Sequence, residues 1–337
     1  MENAMQAVWY ERVGPAREVL VNGERPMPSP GHGEVLVQLH ASGVNPSDVK
    51  ARAGARGGKS DLAFAFVIPH SDGAGIVIEC GPGCNRLTPG SRVWVSNGQW
   101  RRASGTAAQY IAIDEKLVFP LPDNASYLVG AALGIPTLTA CHVTTAFGDV
   151  AGRTVLISGG AGTVGRLAVQ FARQAGAFVV ASGHGSADEK RITSAGADAF
   201  VDYTSPTFVA DVLDATNGRL IDHAVEVEFG ANVESLADLL SDRATVVTYG
   251  SARVMRPEIP FYKFLFKGIE LQFVLVYLLT PGERADAAMR INHLLELGTL
   301  DVPIHEVLPL RDCARAHELV ESGQRTGAVI LDVENVA

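Results

Sequence analysis

The chain has 337 residues, 47% of them apolar and 19% charged, with a formal net charge of −9. Those figures exclude a disordered chain and suggest about two domains, each with its own core. The acidic balance, 37 Asp and Glu against 28 Lys and Arg, argues against nucleic acid as a main partner, because phosphate binding needs a basic face.

Four cysteines (80, 84, 141 and 313) are too few for a disulfide framework at this length. The Cys80-x3-Cys84 pair lacks nearby companion ligands and reads as idle thiols. The N-terminus shows no basic stretch followed by an apolar run, so no signal peptide is expected. The most apolar stretch, Leu271–Leu279, is too short to span a bilayer. A soluble, cytoplasmic protein without membrane contact is the expectation.

The first 120 or so residues carry short apolar runs, Glu34–Leu39, Gly75–Cys80, Arg92–Val95 and Ala108–Ile113, broken by Gly and Pro clusters. That punctuation predicts a β-rich unit. The turn residues of Leu121–Ser126 then open an Ala-rich stretch, Tyr127–Phe147, predicted as one helix. From Thr154 the chain alternates. Strands are predicted at Thr154–Ser158, Phe178–Ser182, Ala199–Tyr203, Ala224–Val227, Ala244–Tyr249 and Leu271–Tyr277. Helices are predicted at Val164–Gln174, Ala187–Ser194, Thr207–Ala215, Asn232–Ser241 and Glu283–Leu297, with Ser186 and Glu189 spaced as a capping box for the second. Six strands alternating with helices predict a doubly wound parallel sheet. The tail holds a helix at Arg311–Glu321 and a strand at Gly327–Val333. It is too small for a domain and is expected to return to the N-terminal unit. The expected division is therefore 1–123 with 299–337, and 124–298.

The strongest motif follows the first strand of the alternating region. Gly160, Gly162 and Gly165 form G-x-G-x-x-G between a strand and a helix. Gly162 lets backbone approach a pyrophosphate, which rests on helix N-terminal N–H groups, and Gly165 lets the helix pack closely. This context predicts dinucleotide binding. In NAD sites an acid ends the second strand, about 20 residues on. Here the chain reads Val180-Ala-Ser-Gly-His-Gly-Ser186, and no acid occurs between Gly165 and Ala187. Ser182, His184, Lys190 and Tyr203 are the candidate neighbours of a 2′-phosphate, so NADPH is predicted over NADH.

The whole chain resembles the medium-chain dehydrogenase/reductase superfamily, and within it the zinc-free quinone oxidoreductases of the zeta-crystallin type. The resemblance rests on ASGVNPSDVKARAG (41–54), HSDGAGIVIECGPG (70–83), TPGSRVWV (88–95), GIPTLTA (134–140), SGGAGTVGRLAVQFARQAGA (158–177), SAGADAFVDY (194–203) and RAHELVESGQRTGAVIL (315–331). It implies a GroES-like catalytic domain, built from both chain ends, and a Rossmann domain. It also implies a homodimer or homotetramer paired through the sixth strand. Zinc members of the superfamily place a Cys where this chain has Asn45 and a His where it has Ser71, and Val93–Tyr110 lacks the cysteines of their second zinc lobe. No metal is therefore expected; His70, next to the lost ligand position, is a lone histidine without partner ligands and reads as structural or exposed, not as a replacement ligand.

Carried over residue by residue, the resemblance places Asn45 and Thr139 near the nicotinamide. It places Ala161, Gly162, Thr163 and Val164 at the pyrophosphate, and His184, Lys190 and Tyr203 at the 2′-phosphate. Asn232, Tyr249, Gly250 and Ser251 fall on the ribose and nicotinamide side, and Val274, Leu275 and Val276 behind the ring. The family usually carries a Tyr five residues after the Asn, and here that residue is Lys50. The expected activity is NADPH-dependent reduction of quinones, with Asn45 and Lys50 as polar donors to the substrate oxygen. The alternative is reduction of an enone, alkenal or enoyl-thioester double bond. A thioester's phosphates would need a basic entrance, for which Arg52, Arg56, Lys59, Arg101 and Arg102 are candidates. A non-catalytic RNA-binding role is disfavoured by the acidic charge.

Overall fold

The computed structural model describes residues 4–55, 62–146 and 148–334, and its contacts divide the chain into two units: Met1–Thr137 with Ala288–Ala337, and Leu138–Ala287. The architecture is α/β, a β-rich GroES-like unit and a Rossmann unit with a doubly wound, six-stranded parallel sheet.

In the first unit β1 (Ala4–Trp9) pairs antiparallel with β2 (Val21–Pro26), with the short α1 (Ala16–Val19) between them. The spine is β3 (Glu34–Val44), followed by α2 (Pro46–Arg52) and β4 (Asp72–Cys80). After them come β5 (Arg92–Val95), β6 (Tyr110–Asp114) and β7 (Val118–Pro120). One edge of β3 takes β4, and residues 34–38 of the other take β6. Val35, Val37, Val77, Val93, Ile111 and Ile113 are all fully buried and share one core. Their burial is the main stabilising term for strands too short to hold alone.

The predicted helix Tyr127–Phe147 is not continuous. It divides into α3 (Tyr127–Gly130), a widened turn at Leu133–Thr137, and α4 (Leu138–Thr145), and Phe147 lies outside the described residues. Pro136 sits in that turn and has no N–H to give to a helical ladder.

The second unit follows the predicted alternation. Its elements are β8 (Thr154–Ile157), α5 (Thr163–Gln174), β9 (Phe178–Gly183), α6 (Gly185–Ser194), β10 (Ala199–Asp202) and α7 (Phe208–Ala215). Then come β11 (Ile221–Glu226), α8 (Phe229–Leu239), β12 (Leu240–Thr248), α9 (Phe261–Lys267) and β13 (Glu270–Phe273). The strand order is β10-β9-β8-β11-β12-β13, all parallel, so the order reverses between β8 and β11. The four residues of β8 are buried, as a strand with helices on both faces requires.

Two further local expectations are corrected, and one helix is new. The helix α6 starts at Gly185, with His184 as its N-cap, and Asp188 accepts from the His184 N–H at 2.9 Å in place of the Ser186–Glu189 box. The sixth strand stops at Phe273, and Val276–Leu278 is a short 3-10 turn, not strand. The aromatic-rich α9, whose Phe-Tyr-Lys-Phe-Leu-Phe run has no clean polar period, was not foreseen.

The chain continues through α10 (Pro281–Glu296) to β14 (Ile304–Pro309), α11 (Cys313–Ser322) and β15 (Ala328–Asp332). Strand β15 pairs antiparallel with residues 41–44 of β3, beside β6 on the same edge, so the tail joins the first unit. Among the described residues, no helix is long and apolar enough to cross a membrane.

Candidate functional site

In the second unit the glycine-rich turn lies between β8 and α5. Gly159 takes the left-handed conformation (φ +65°), and Gly162 is the helix N-cap with no side-chain cap. The first helical N–H groups have no intrahelical acceptor, and here they open at the C-terminal end of the sheet. The glycines differ in what they permit. A Cβ on Gly165 would lie 2.1 Å from the Gly159 carbonyl oxygen, and one on Gly160 would lie 2.8 Å from the Ala181 Cβ. A Cβ on Gly162 would meet only the Gly159 oxygen, at 3.4 Å. Gly160 and Gly165 therefore serve helix and strand packing, while Gly162 leaves a cradle in front of the helix end. That cradle fits a pyrophosphate.

Beside it is a cavity of about 650 Å³, at the point where strand order reverses. Leu156, Ser158, Ser182, Glu226, Asn232 and Tyr203 line it, together with α7 residues and Arg253. Ser182 is buried, and its Oγ accepts from the Gly159 N–H at 3.2 Å, which ties the end of β9 to the turn.

Glu226 was not foreseen as a site residue. It ends β11 with 1% exposure, and the Asn232 amide donates to its Oε2 at 2.9 Å and to the Ser158 Oγ at 3.1 Å. Burial pushes its carboxyl up to about 7, against the opposing hydrogen bonds from Asn232 and Ser158. Burial and Glu226 also push the Tyr249 phenol up. The signal available in the sequence was an acid inside the apolar run Ala224–Val227, because a buried charge needs partners.

On the expected 2′-phosphate side, His184 and Tyr203 come together, their rings 6.0 Å apart. Lys190 is exposed on α6. An acid does stand here, on the third strand and not the second. Asp202 accepts from the Thr204 hydroxyl at 2.6 Å and from the Gly185 N–H at 3.1 Å, and lies 3.3 Å from His184 Nδ1. The Thr204 hydrogen bonds, then that from Gly185, hold its carboxyl well below the usual range.

The remaining predicted residues of this unit lie nearby or apart as follows. The Phe229 N–H donates to the Gly250 carbonyl at 3.1 Å, and the Gly230 N–H to the Ser251 Oγ at 2.9 Å. Thr139 is buried on α4. Val274 follows β13, its N–H on the Thr248 carbonyl at 2.8 Å; Leu275 is exposed, and Val276 is buried in the turn beyond.

In the first unit Asn45 caps α2. Its N–H donates to Asp48 Oδ2 at 2.8 Å, and the reciprocal bond completes a capping box with Pro46 at the first helical position. Its side-chain amide donates to Asp72 Oδ2 at 2.8 Å, and the Ile135 N–H donates to the same oxygen at 2.8 Å. Asp72 is fully buried, and burial followed by the neighbouring Asp48 pushes its carboxyl well above the ordinary range. Ser71 is also buried. Asn45, Ser71 and Asp72 offer no thiolate or imidazole, and Asp72 Oδ2 is already shared by two donors. This donor set does not fit a catalytic zinc. Lys50 is exposed on the last turn of α2.

Two candidates for a basic entrance are engaged internally. Arg52 is 1% exposed and donates to the Gly14 carbonyl and the Glu321 carboxylate. Arg102 donates to the Gly98 and Ala112 carbonyls. Arg101 is exposed, while Arg56 and Lys59 lie outside the described residues.

Comparison with known proteins agrees with this geometry. Residues 31–123 match the family described as alcohol dehydrogenase GroES-like domain, and residues 195–331 match the zinc-binding dehydrogenase family. The chain is 29% identical to a quinone oxidoreductase of Sus scrofa over 332 residues, 98% of each chain. It is 34% identical over 227 residues to a chloroplastic quinone-oxidoreductase, QR1, of Triphysaria versicolor, 66% of this chain and 67% of that one. The solved structure of mycobacterial Rv1454c complexed with NADPH aligns with a TM-score of 0.84 at 26% identity, covering 98% of this chain and all (100%) of that one.

Proposed function

The chain belongs to the medium-chain dehydrogenase/reductase superfamily, among its quinone oxidoreductases, and is an oxidoreductase; on that premise we propose an NADPH-dependent, zinc-independent reductase of quinones. The observation that carries the reading is the uncapped N-terminus of α5, with its open Gly162, beside a cavity that the end of β9 lines with Ser182.

Bound NADPH would supply the hydride, and the protein supplies placement and charge. Ala161, Gly162, Thr163 and Val164 would hold the pyrophosphate, with Gly160 and Gly165 shaping the turn of the cofactor site that presents them. Asn232, its two amide protons held by Glu226 and Ser158, would present its Oδ1 as an acceptor to a hydroxyl of the adjoining ribose. Ser182, His184, Lys190 and Tyr203 would receive the 2′-phosphate, with Lys190 and Arg253 as free-reaching cations. Thr139, Tyr249, Gly250, Ser251, Val274, Leu275 and Val276 would position the nicotinamide end.

For the substrate, Asn45 is held in one orientation by Asp72 and would donate to a carbonyl oxygen that gains charge. Lys50 would supply a second donor from the end of α2. Lys50 in place of the family's usual Tyr favours one second reading, reduction of an enone double bond, in which the charged oxygen needs a cation close by. A cytoplasmic location accords with four free thiols. A homodimer or homotetramer accords with β13 as the end strand of its sheet, where Phe273 is 73% exposed, and with the exposed aromatics of α9, where Phe266 is 82% exposed.

The test is NADPH consumption by chelator-treated protein with 1,4-benzoquinone, 9,10-phenanthrenequinone and a simple enone in parallel. Faster turnover of the quinones is the expected result. Turnover of the enone alone would transfer the assignment to double-bond reduction, and equal use of NADH would remove the cofactor assignment.

A further inference from the structure

A cluster in the first unit lies outside the residues assigned above. His70, Cys313 and His317 are each fully buried, and their ligand atoms all lie within 4.8 Å of one another. Cys313 and His317 are one turn apart on α11, a spacing that puts both on one helix face. His70 is brought to them from the loop before β4. It takes a left-handed backbone conformation, φ +76°, which is rare for a non-glycine residue and persists only where the surroundings impose it.

The protons of this cluster can be placed by counting. The Thr106 hydroxyl donates to the Asp72 carbonyl at 2.6 Å. It has no second proton, so at the 2.8 Å contact with Ser42 the Ser42 hydroxyl is the donor. Ser42 Oγ must then accept from His70 Nδ1, 3.0 Å away. This chain fixes the tautomer of His70, with Nδ1 protonated and the Nε2 lone pair pointing at the cluster. A metal-binding histidine is prepared in this way, its far nitrogen held by a hydrogen bond while the near one stays bare. Across from it His317 Nε2 lies 2.9 Å away, and Cys313 Sγ lies 3.9 Å from the same His70 nitrogen.

We propose that His70, Cys313 and His317 form a buried binding site for a thiophilic d10 cation, Zn2+ or Cu+, held by two imidazoles and one thiolate. The distances suit that ligand set. Metal–nitrogen bonds of about 2.0–2.1 Å and metal–sulfur bonds of about 2.3 Å put neighbouring nitrogens roughly 3.4 Å apart, and nitrogen and sulfur roughly 3.6 Å apart. The imidazoles need to separate by only about 0.5 Å to admit the ion. Binding would release the Cys313 thiol proton to solvent, while the His317 proton moves from Nε2 to Nδ1 so that the ring stays neutral, with no change of oxidation state. The soft sulfur selects against Mg2+ and Ca2+, which prefer oxygen. A fully buried site exchanges its ion slowly, so loading accompanies folding, and the role is to lock α11 to the loop before β4. The proposal is separate from the reductase reading, since none of its ligands is among the residues proposed for cofactor or substrate.

The experiment is elemental analysis of the purified full chain from medium supplemented with zinc and, separately, copper. A second arm unfolds the protein in chelator and refolds it with Co2+, reading the near-ultraviolet thiolate-to-cobalt charge-transfer band. The expected result is close to one equivalent of zinc or copper per chain, a cobalt–thiolate band in the wild type, and loss of both metal and band in Cys313→Ala. If that variant does not fold, His70→Gln serves the same purpose, and the wild-type cobalt spectrum needs no variant. Sub-stoichiometric metal with no cobalt band would overturn the proposal, as would full metal retention in either variant.

Discussion

The amide of Asn45 donates to Asp72 Oδ2 over 2.8 Å, and both residues are buried, so the cap of α2 is tied to the start of β4. Asp72→Ala leaves both the Asn45 amide and the Ile135 N–H without their acceptor. The expected loss is about 2–3 kcal/mol, since buried donors left unpaired forfeit their desolvation cost. Asp72→Asn keeps an acceptor and the neutral form, and should cost about 1 kcal/mol or less. Urea unfolding of the two variants decides the point. Equal losses would mean that the hydrogen bonds are not what holds the pair.

The glycine turn yields a contrast between two small substitutions. Gly165→Ala places a Cβ 2.1 Å from the Gly159 oxygen, so thermal stability should fall steeply. Gly162→Ala meets only an oxygen at 3.4 Å and should cost under about 1 kcal/mol of stability, the usual scale for an N-cap change. Its NADPH affinity should nonetheless fall by about tenfold, near 1.4 kcal/mol, as the cradle fills. Melting temperature and cofactor fluorescence titration read the two effects separately.

Cofactor choice can be tested on α6. Lys190→Ala should raise the KM for NADPH by about tenfold, the scale of one charged hydrogen bond, and leave that for NADH unchanged. Equal changes for both cofactors would place Lys190 away from the 2′-phosphate. Asp202→Asn removes a carboxylate 3.3 Å from His184 Nδ1 and should favour NADPH further.

Glu226 sets a pH dependence of stability. Its carboxyl is raised from an ordinary 4.5 to about 7 in the fold. The folded state therefore holds a proton that the unfolded chain has released. The resulting stabilisation is fully present below pH 4.5 and is lost as pH rises through 7. Glu226→Gln mimics the protonated form and should flatten that decline in urea midpoints measured across the interval. A decline of the same size in the variant would show that another group is responsible.

Much of the second unit was legible because its determinants are local. Thr154–Ile157 and Phe178–Gly183 are continuous apolar runs, and Gly160–Gly165 links them to a helix within a few residues. The Ala-rich composition of Tyr127–Phe147 hides its break at Pro136, and Asp188, four positions after His184, takes the His184 N–H in place of the Ser186–Glu189 box. The motif rule points to an acid at the end of the second strand, whereas the acid beside His184, Asp202, ends the third.

The sequence by itself determined the alternation of strands and helices, the glycine turn and the lack of zinc-ligand residue types at Asn45 and Ser71. These follow from backbone preferences and side-chain periods that act over a few residues. Only the tertiary structure decided that Glu226 meets Ser158 and Asn232, that Asp72 grips Asn45, and that His70 faces His317, 247 positions away. Those meetings depend on strand order and register, which the summed burial of distant side chains selects and no short segment encodes.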